Sequence, residues 1–337
     1  MSDAAGPFFS VILPTYNRAR MAAAAVLSLL GQTDKEFECF VVDDGSTDDT
    51  PRVLAALPKD PRVSVLRMER NRGQHVCRNH AIRRASGRFV TFLDSDDLYL
   101  PGRLEAFRRA IESRPAAGFW FSNAYVRRFG RIIGRLFDPA RDIPEGKVPG
   151  YYAVGEEFLP YVTTNVAVRR EAFDEFGLYR EDLRILEDTE LYARMLAGGL
   201  EVGAIREPLA VRCLHESQIT RDYERDFEEA VLALKAGEPP PEVESPRRRE
   251  LAAEVAGYLL KNAEPLRARR LLARELGEAA PAHPLYLKTF APPAALRLMR
   301  WARKLYLGAR YAPAFAPPEL RKAGRLIDPY LDHAARL

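Results

Sequence analysis

Between residues 8 and 93, short continuously apolar runs alternate with helix-patterned segments, and few architectures accept that alternation. "FFSVIL" (8–13) is a strand candidate, and "RMAAAAVLSLLGQ" (20–32) a helix that Gly31 can end. "FECFVV" (37–42) is again strand-like and leads into "DDGSTDDTPRVLAAL", where Ser46 or Thr47 can cap a helix. The first turn of that helix would hold Asp48, Asp49 and Pro51. "VSVLRM" (63–68), "HVCRNHAIRRASG" (75–87) and "FVTFL" (89–93) repeat strand, helix, strand. Runs that are apolar throughout belong to strands covered on both faces. The expected fold class is therefore α/β, a mixed and mostly parallel sheet flanked by helices.

After residue 115 the pattern changes. "FWFSNAYVRRFGRIIGRLF" (119–137) reads as a hairpin with Gly130 in its turn, and the Gly- and Pro-rich stretch 138–160 as a lid. "TTNVAVRREAFDEFGLY" and "LEDTELYARMLAGG" restore a strand and two helices, and "VGAIREPLAVRCLHESQ" reads as strand. "KAGEPPPEVESPRRRE" has the composition of a linker, and everything beyond it is helical. The expected organisation is an α/β domain over 1–225, a linker over 226–250 and an all-helical region over 251–337.

Net charge is only +4, from 51 basic against 47 acidic residues, so no nucleic-acid partner is implied. Cys39, Cys77 and Cys213 are odd in number and form no CxxC pair, which suits a reducing cytoplasm rather than a disulfide framework. No signal-peptide pattern opens the chain, and no apolar run reaches the roughly 18 residues of a membrane span. Cytoplasmic location is expected, with any membrane contact peripheral.

Ligands of open α/β sheets sit beyond the carboxyl ends of the strands. Three polar clusters fall there: "PTYNR" (14–18), "DDGS" (43–46) and "DSDD" (94–97). Asp94, Asp96 and Asp97 stand within four positions directly after an apolar run, where like charges repel and desolvation is costly. Any one of them alone reads as a strand end or helix cap; together they suggest a shared divalent cation. Mg²⁺ and Mn²⁺ prefer oxygen ligands and combine one or two protein carboxylates with phosphate oxygens. Arg72, Arg78 and Arg88 add cations nearby that can grip phosphate.

"FSVILPTYNR", "VVDDGSTDDT", "NRGQHVCRNHAIRRASGRFVTFLDSDD" and "EDTELYARML" resemble, in order, the signature of family 2 glycosyltransferases with a GT-A fold. The likeness spans roughly residues 8–220 and leaves the C-terminal third uncovered. It implies an inverting transferase that uses a nucleotide-diphosphate sugar and a divalent metal, Mn²⁺ or Mg²⁺. Pro14, Tyr16 and Arg18 would line the base and ribose pocket, and Asp44 would accept a hydrogen bond from the base. A ring to stack on and a carboxylate to read an N–H favour a uracil-like edge, with guanosine and thymidine open. Arg78 and Asn79 would approach the phosphates. Asp94, Ser95 and Asp96 match the DxD element, with Asp94 toward the ribose or donor sugar and Asp96 on the metal. Asp97 is the alternative metal ligand, and His215, in "CLHESQIT", would return a further ligand to the cation.

A hydroxyl acceptor needs a base near its oxygen. Asp188 matches the family's catalytic Asp, and Glu187 would support it; both would also complement a helix N-terminus by under about 1 kcal/mol. Thr163, Thr164 and Asn165 are expected on the acceptor side, where a glycan or lipid-linked hydroxyl would bind. Trp120 and Tyr125 could stack on a sugar or belong to the core. A nucleotidyltransferase would want a glycine-rich, lysine-bearing loop in place of "PTYNRAR", and a non-catalytic nucleotide-sugar sensor would not need Glu187–Asp188.

From Ala291 to Pro318 no acidic residue occurs, while Arg297, Arg300, Arg303, Lys304 and Arg310 are basic. On a helix the first four share a face, opposite Leu298, Met299, Trp301, Ala302, Leu305 and Tyr306. Residues 291–312 are thus a candidate for peripheral contact with anionic lipid, or for docking on the α/β domain with the arginines in solvent.

Overall fold

The structure, a computed structural model, describes residues 6–128, 130–154, 159–215, 222–310 and 318–337, the side chains of 303–310 excepted. Its centre is a sheet in the order β3-β2-β1-β4-β8-β6-β9-β5, with β7 paired to β6. β1 (Phe9–Thr15), β2 (Phe37–Asp43), β3 (Val63–Arg67) and β4 (Phe89–Phe92) run parallel. β5 (Leu98–Tyr99), β6 (Ala117–Arg128), β7 (Arg131–Arg135), β8 (Val166–Arg169) and β9 (Glu201–Leu214) follow. There β8 is antiparallel to both neighbours and only β6–β9 is a parallel pair. The expected hairpin is β6–β7, and Gly130 takes a φ of 77° in its turn.

All of β1 and β4 is buried, and nearly all of β2. Alternate residues serve opposite faces. Val11, Leu13 and Val41 pack with α1 (Ala19–Leu30) and α4 (Arg103–Ser113). Ile12, Val42 and Phe92 pack with α3 (Gln74–Ile82) and α6 (Glu187–Ala197). Each such fully buried side chain contributes about 1.5–3 kcal/mol relative to exposure. Trp120 belongs to this core, 3% exposed, with its indole N–H on Ala117 O. Tyr125 packs against the cluster that joins α1 to the C-terminal helix, Pro318–Ala334. The short helices α2 (Thr50–Ala55) and α5 (Glu171–Phe176) complete the layers.

Residues 226–250 are not a linker. They hold most of α7 (Tyr223–Ala236) and the first half of α8 (Pro241–Lys261). The proline tract is a tight connector: Pro241 opens α8, at a position whose N–H would have no partner anyway. Phe227, Ala230, Ala233 and Leu234 of α7 and Leu251, Val255 and Leu259 of α8 share one core with the sheet. Within the segment read as a lid, Val154 O accepts from the buried Arg247 of α8; residues 155–158 lie outside the described residues. α8 and α9 (Pro265–Leu276) form a helical hairpin, held by Arg248–Glu275 at 2.7 Å.

After α10 (Pro284–Lys288), α11 (Pro293–Arg310) leaves Leu298, Met299 and Trp301 each over 60% exposed, while Leu296 is buried. Arg300 Nη1 donates to Asn262 Oδ1 at 3.0 Å. Residues 311 and 312 and the side chains of Arg303, Lys304, Leu305, Tyr306 and Arg310 lie outside the described residues. α12 (Pro318–Ala334) returns to the opposite face, where Leu320, Ala323 and Ile327 pack on Ala23, Ala24 and Leu27 of α1. Among the described residues no helix is long and apolar enough to cross a membrane.

The seam between α7 and the 3-10 turn at Gly150–Ala153 is tight enough to test. A Cβ on Gly237 would lie 2.6 Å from the carbonyl carbon of Gly150 and press on the Tyr151 backbone. Gly237→Ala is expected to destabilise by about 1–3 kcal/mol, read from urea midpoints. Gly102→Ala, where nothing lies within 4 Å, is expected to stay within about 0.5 kcal/mol.

Candidate active site

β1 crosses to β2 on one side, and β4 pairs on its other side, so the sheet reverses its winding between β1 and β4. Crevices form at such a point, and here the carboxyl ends of both strands open into a cleft of about 1430 Å³. Three loops shape its rim. Asn17, at φ 51°, lashes two of them together: its N–H donates to Ser46 Oγ, and its Oδ1 accepts from Thr47 N. Ser46 and Thr47 therefore join loops rather than cap α2, whose N-cap is Asp49. Asp44 is buried, with Oδ1 accepting from Arg72 N and Oδ2 from Gly73 N, both at 2.8 Å. Gly45 sits at φ 70° directly against the Arg70 backbone, an approach a side chain would block.

The three acids of "DSDD" each have a different answer to their crowding. Asp94 Oδ1 pairs with Arg78 Nη2 at 2.8 Å, although burial, opposed by Arg78, still raises its pKa. Asp96 Oδ2 meets Arg18 Nη1 at 2.6 Å and His215 Nε2 at 2.7 Å. Asp97 turns inward: Oδ2 accepts from Thr164 Oγ1 and Oδ1 from Cys213 N, both at 2.7 Å. Burial, with Asp96 and Asp94 adding like charge, pushes Asp97 well above the usual carboxylate range. Both its oxygens are engaged in closing the loop on β9, which argues against the alternative metal-ligand role.

Across the cleft, Asp188 is the second residue of α6, where the helix N-terminus favours negative charge. Its Oδ2 accepts from Thr163 Oγ1 at 2.7 Å and its Oδ1 from Thr189 N at 2.7 Å. Glu187 is buried behind it; Oε1 accepts from Arg78 Nη1 and Gln74 Nε2. Burial first, then Asp188, pushes Glu187 up to about 7 against the pull of Arg78. One buried arginine thus bridges Asp94 on one loop and Glu187 beside the candidate base.

The start of α6 is held from outside the matched signature. Glu229 of α7 accepts from the backbone amides of Arg184, Ile185 and Leu186 and from Arg225 Nε. It gathers the amides leading into α6 that no helical bond satisfies.

The family model for glycosyl transferase family 2 matches residues 10–177. The succinoglycan biosynthesis protein ExoO of Rhizobium meliloti is 33% identical over 332 residues, 92% of each chain. This chain belongs to glycosyltransferase family 2. Among solved structures, TarS of S. aureus in complex with UDP-GlcNAc shares the fold at TM-score 0.56 and 18% identity, over 88% of this chain and 91% of that one. Mannosyltransferase PcManGT from Pyrobaculum calidifontis, in complex with GDP-Man and Mn²⁺, does so at 0.51 and 23%, over 98% and 86%. The enzyme is a glycosyltransferase on a GT-A scaffold, with a helical region packed on it.

The predicted residues divide in two. Pro14, Tyr16, Arg18, Asp44, Asp94, Ser95 and Asp96 line the cleft on the strand-end side, and Thr163 and Asp188 face them. Asn79 does not reach it: buried, it exchanges hydrogen bonds with the Tyr179 backbone. Arg78 is likewise buried and acts on the cleft through its two carboxylates. Arg88 stacks on Phe8 at 4.8 Å, so of the three expected phosphate cations only Arg72 faces the cleft, alongside Arg18. Thr164 and Asn165 are buried, Thr164 on Asp97 and Asn165 folding the turn to Val162 N and Ser122 O, so neither is an acceptor contact. His215 is described, but the rest of its motif, 216–221, lies outside the described residues.

Sequence reasoning missed Glu229. The signal was present, because Tyr223, Phe227, Ala230 and Leu234 recur at helical spacing, but the proline tract beyond drew the segment into a linker. Burial raises the Glu229 carboxyl, yet Arg225 and the three amides prevail and hold it below its ordinary value. Its contribution is therefore present above the unfolded value near 4.5 and lost as pH falls through the lower folded value. Glu229→Gln is expected to cost about 1.5–3 kcal/mol at pH 7 in urea melts. Toward pH 3 the gap from the unsubstituted chain is expected to shrink.

Proposed function

We propose that this enzyme moves a sugar from a nucleotide-diphosphate donor, UDP-sugar favoured, to a hydroxyl of a glycan acceptor in one inverting displacement. The observation that carries it is the facing of Asp188 and Asp96 across one cleft at the switch point of the sheet. Asp94 and Asp96 have cationic partners, whereas Asp188 accepts from the Thr163 and Thr189 hydroxyls and the Thr189 amide and pairs with no cation among the described residues. With no cation on it, the Asp188 carboxylate is open to the hydrogen of an acceptor hydroxyl. As the acceptor oxygen bonds the anomeric carbon, its proton passes to Asp188 and the bond from that carbon to the phosphate oxygen breaks. One displacement inverts the centre, and general-base assistance of this type is worth about 10²–10⁴ in rate. The diphosphate leaves toward Arg18 and Arg72, while the Tyr16 ring and the amide-clamped Asp44 are suited to a uracil edge.

A divalent cation, Mn²⁺ or Mg²⁺, fits the side chains present. Asp96 Oδ2 and His215 Nε2 lie 2.7 Å apart, and Arg18 Nη1 lies within 2.9 Å of both, so positive charge is accommodated at that point. Among the described residues no three acidic, His or Cys side chains converge, so donor phosphate oxygens would complete the shell. When bound, the cation would neutralise charge building on the departing diphosphate.

Membrane contact and a lipid-linked acceptor are supported by α11, where Leu298, Met299 and Trp301 stand exposed beside Arg297 and Arg300. Polysaccharide synthesis agrees with the likeness to ExoO.

Purified Asp188→Asn is expected to lose about 10²–10⁴ in transfer while binding UDP normally. Asp96→Asn should lose transfer and also weaken Mn²⁺-dependent UDP binding by about tenfold, near 1.4 kcal/mol, by calorimetry. Transfer undiminished in either variant would overturn the assigned role. On vesicles containing anionic lipid, Leu298→Glu with Trp301→Glu is expected to abolish flotation; unchanged partitioning would exclude α11. Point substitution is the right probe, because truncation at 291 would also strip α12 from the core.

A further inference from the structure

A second cavity of about 900 Å³ opens beside the cleft, and the two share walls at Tyr161, Val162, Leu186, Thr189, Arg212 and Asp226. Leu186 and Thr189 bracket Glu187 and Asp188 in the chain, so the shared wall stands next to the candidate base. Its far wall comes from the helices: Asp226 and Ala230 of α7, and Leu251, Glu254, Val255 and Tyr258 of α8. None of these six lies within the stretch 10–177 that matches the family model.

We infer that this cavity is the acceptor subsite, and that α7 and α8 bind there a neutral, polyhydroxylated sugar whose hydroxyl is presented to Asp188. The inference rests on the transferase reading above. Asp226, at the junction of the two cavities, makes no side-chain hydrogen bond or ion pair with any described residue. Burial, then the nearby Glu229, Asp222 and Glu254, push its carboxyl up to about 6. A half-buried carboxylate without donors is costly, and sugar hydroxyls are donors that would satisfy it.

Asp226 and Glu254 on this wall disfavour a phosphate there, while Arg212 at the junction and Arg141 in the lining offset part of that repulsion. Leu251, Val255 and the 41%-exposed Tyr258 ring supply apolar surface for the C–H face of a pyranose. A volume of about 900 Å³ falls within the range of about 300–1,000 Å³ usual for small-molecule sites.

The test uses the full chain with UDP and Mn²⁺, and octyl glycosides of glucose, galactose and N-acetylglucosamine as probes in saturation-transfer NMR. Saturation is expected on the sugar-ring protons of at least one glycoside. It should vanish in Val255→Trp, which fills the cavity, and fall severalfold in the isosteric Asp226→Asn, while Val255→Trp binds UDP within twofold of the unsubstituted chain. Ring saturation that survives Val255→Trp would overturn the inference. So would silence from every glycoside while UDP binds, or saturation confined to the alkyl protons, which would mark a site for a lipid chain. Failure of the unsubstituted chain to bind UDP would instead bring down the donor reading, and this subsite with it.

Discussion

Three carboxylates within four residues can border a shielded cleft only if each is matched by its own partner, and the site is organised around that requirement. Arg78 answers Asp94, Arg18 and His215 answer Asp96, and Thr164 with Cys213 N answers Asp97. These partners come from α3, the β1 loop, the 3-10 turn before β8, and β9. Charge repulsion in one short loop therefore ties together strands that are remote in sequence. Arg78 extends the tie across the cleft, because its other nitrogen holds Glu187. The loop of Asp94 and the start of α6 are set relative to each other by a single guanidinium, fully buried and stacked 5.6 Å from the Tyr179 ring.

A buried arginine between two carboxylates is weak evidence for stability, since desolvating three charges offsets most of their attraction. Its value here is geometric. Removing Arg78 would leave Asp94 and Glu187 uncompensated in low dielectric, and both loops would have to move. That separates residues whose polar atoms face the cleft from residues that hold them in place. Asp97, Asn79, Thr164 and Asn165 belong to the second kind: their polar atoms are engaged by backbone or neighbouring side chains.

The helices beyond the matched signature are part of the same machine. Glu229 gathers the amides at the start of α6, and Arg247 fastens the segment near Val154. α12 returns to cover α1 on the far face. The region after residue 225 thus extends the core, positions the helix that carries Asp188, and walls the second cavity.

Sequence alone settled the alternation of apolar strands and helices, the strand-end placement of Tyr16, Asp44 and Asp96, and the helix start at Asp188. These depend on local periodicity, turn chemistry and motif order, which a linear reading can follow. It did not settle what each polar residue touches. Arg78 and Asn79 read as phosphate contacts through the resemblance to the family's motif, yet the α3 face they occupy points into the core. The linker reading failed for a related reason: proline composition suggests a break, but prolines at the start of α8 cost no hydrogen bond, and only packing against the sheet reveals a helix pair. Partner choice for Asp97, the clasp of Glu229 and the cavity at Asp226 were decided by tertiary structure: Asp97 bonds across 67 and 116 positions and Glu229 to amides 43 to 45 positions away, through burial that no local pattern encodes.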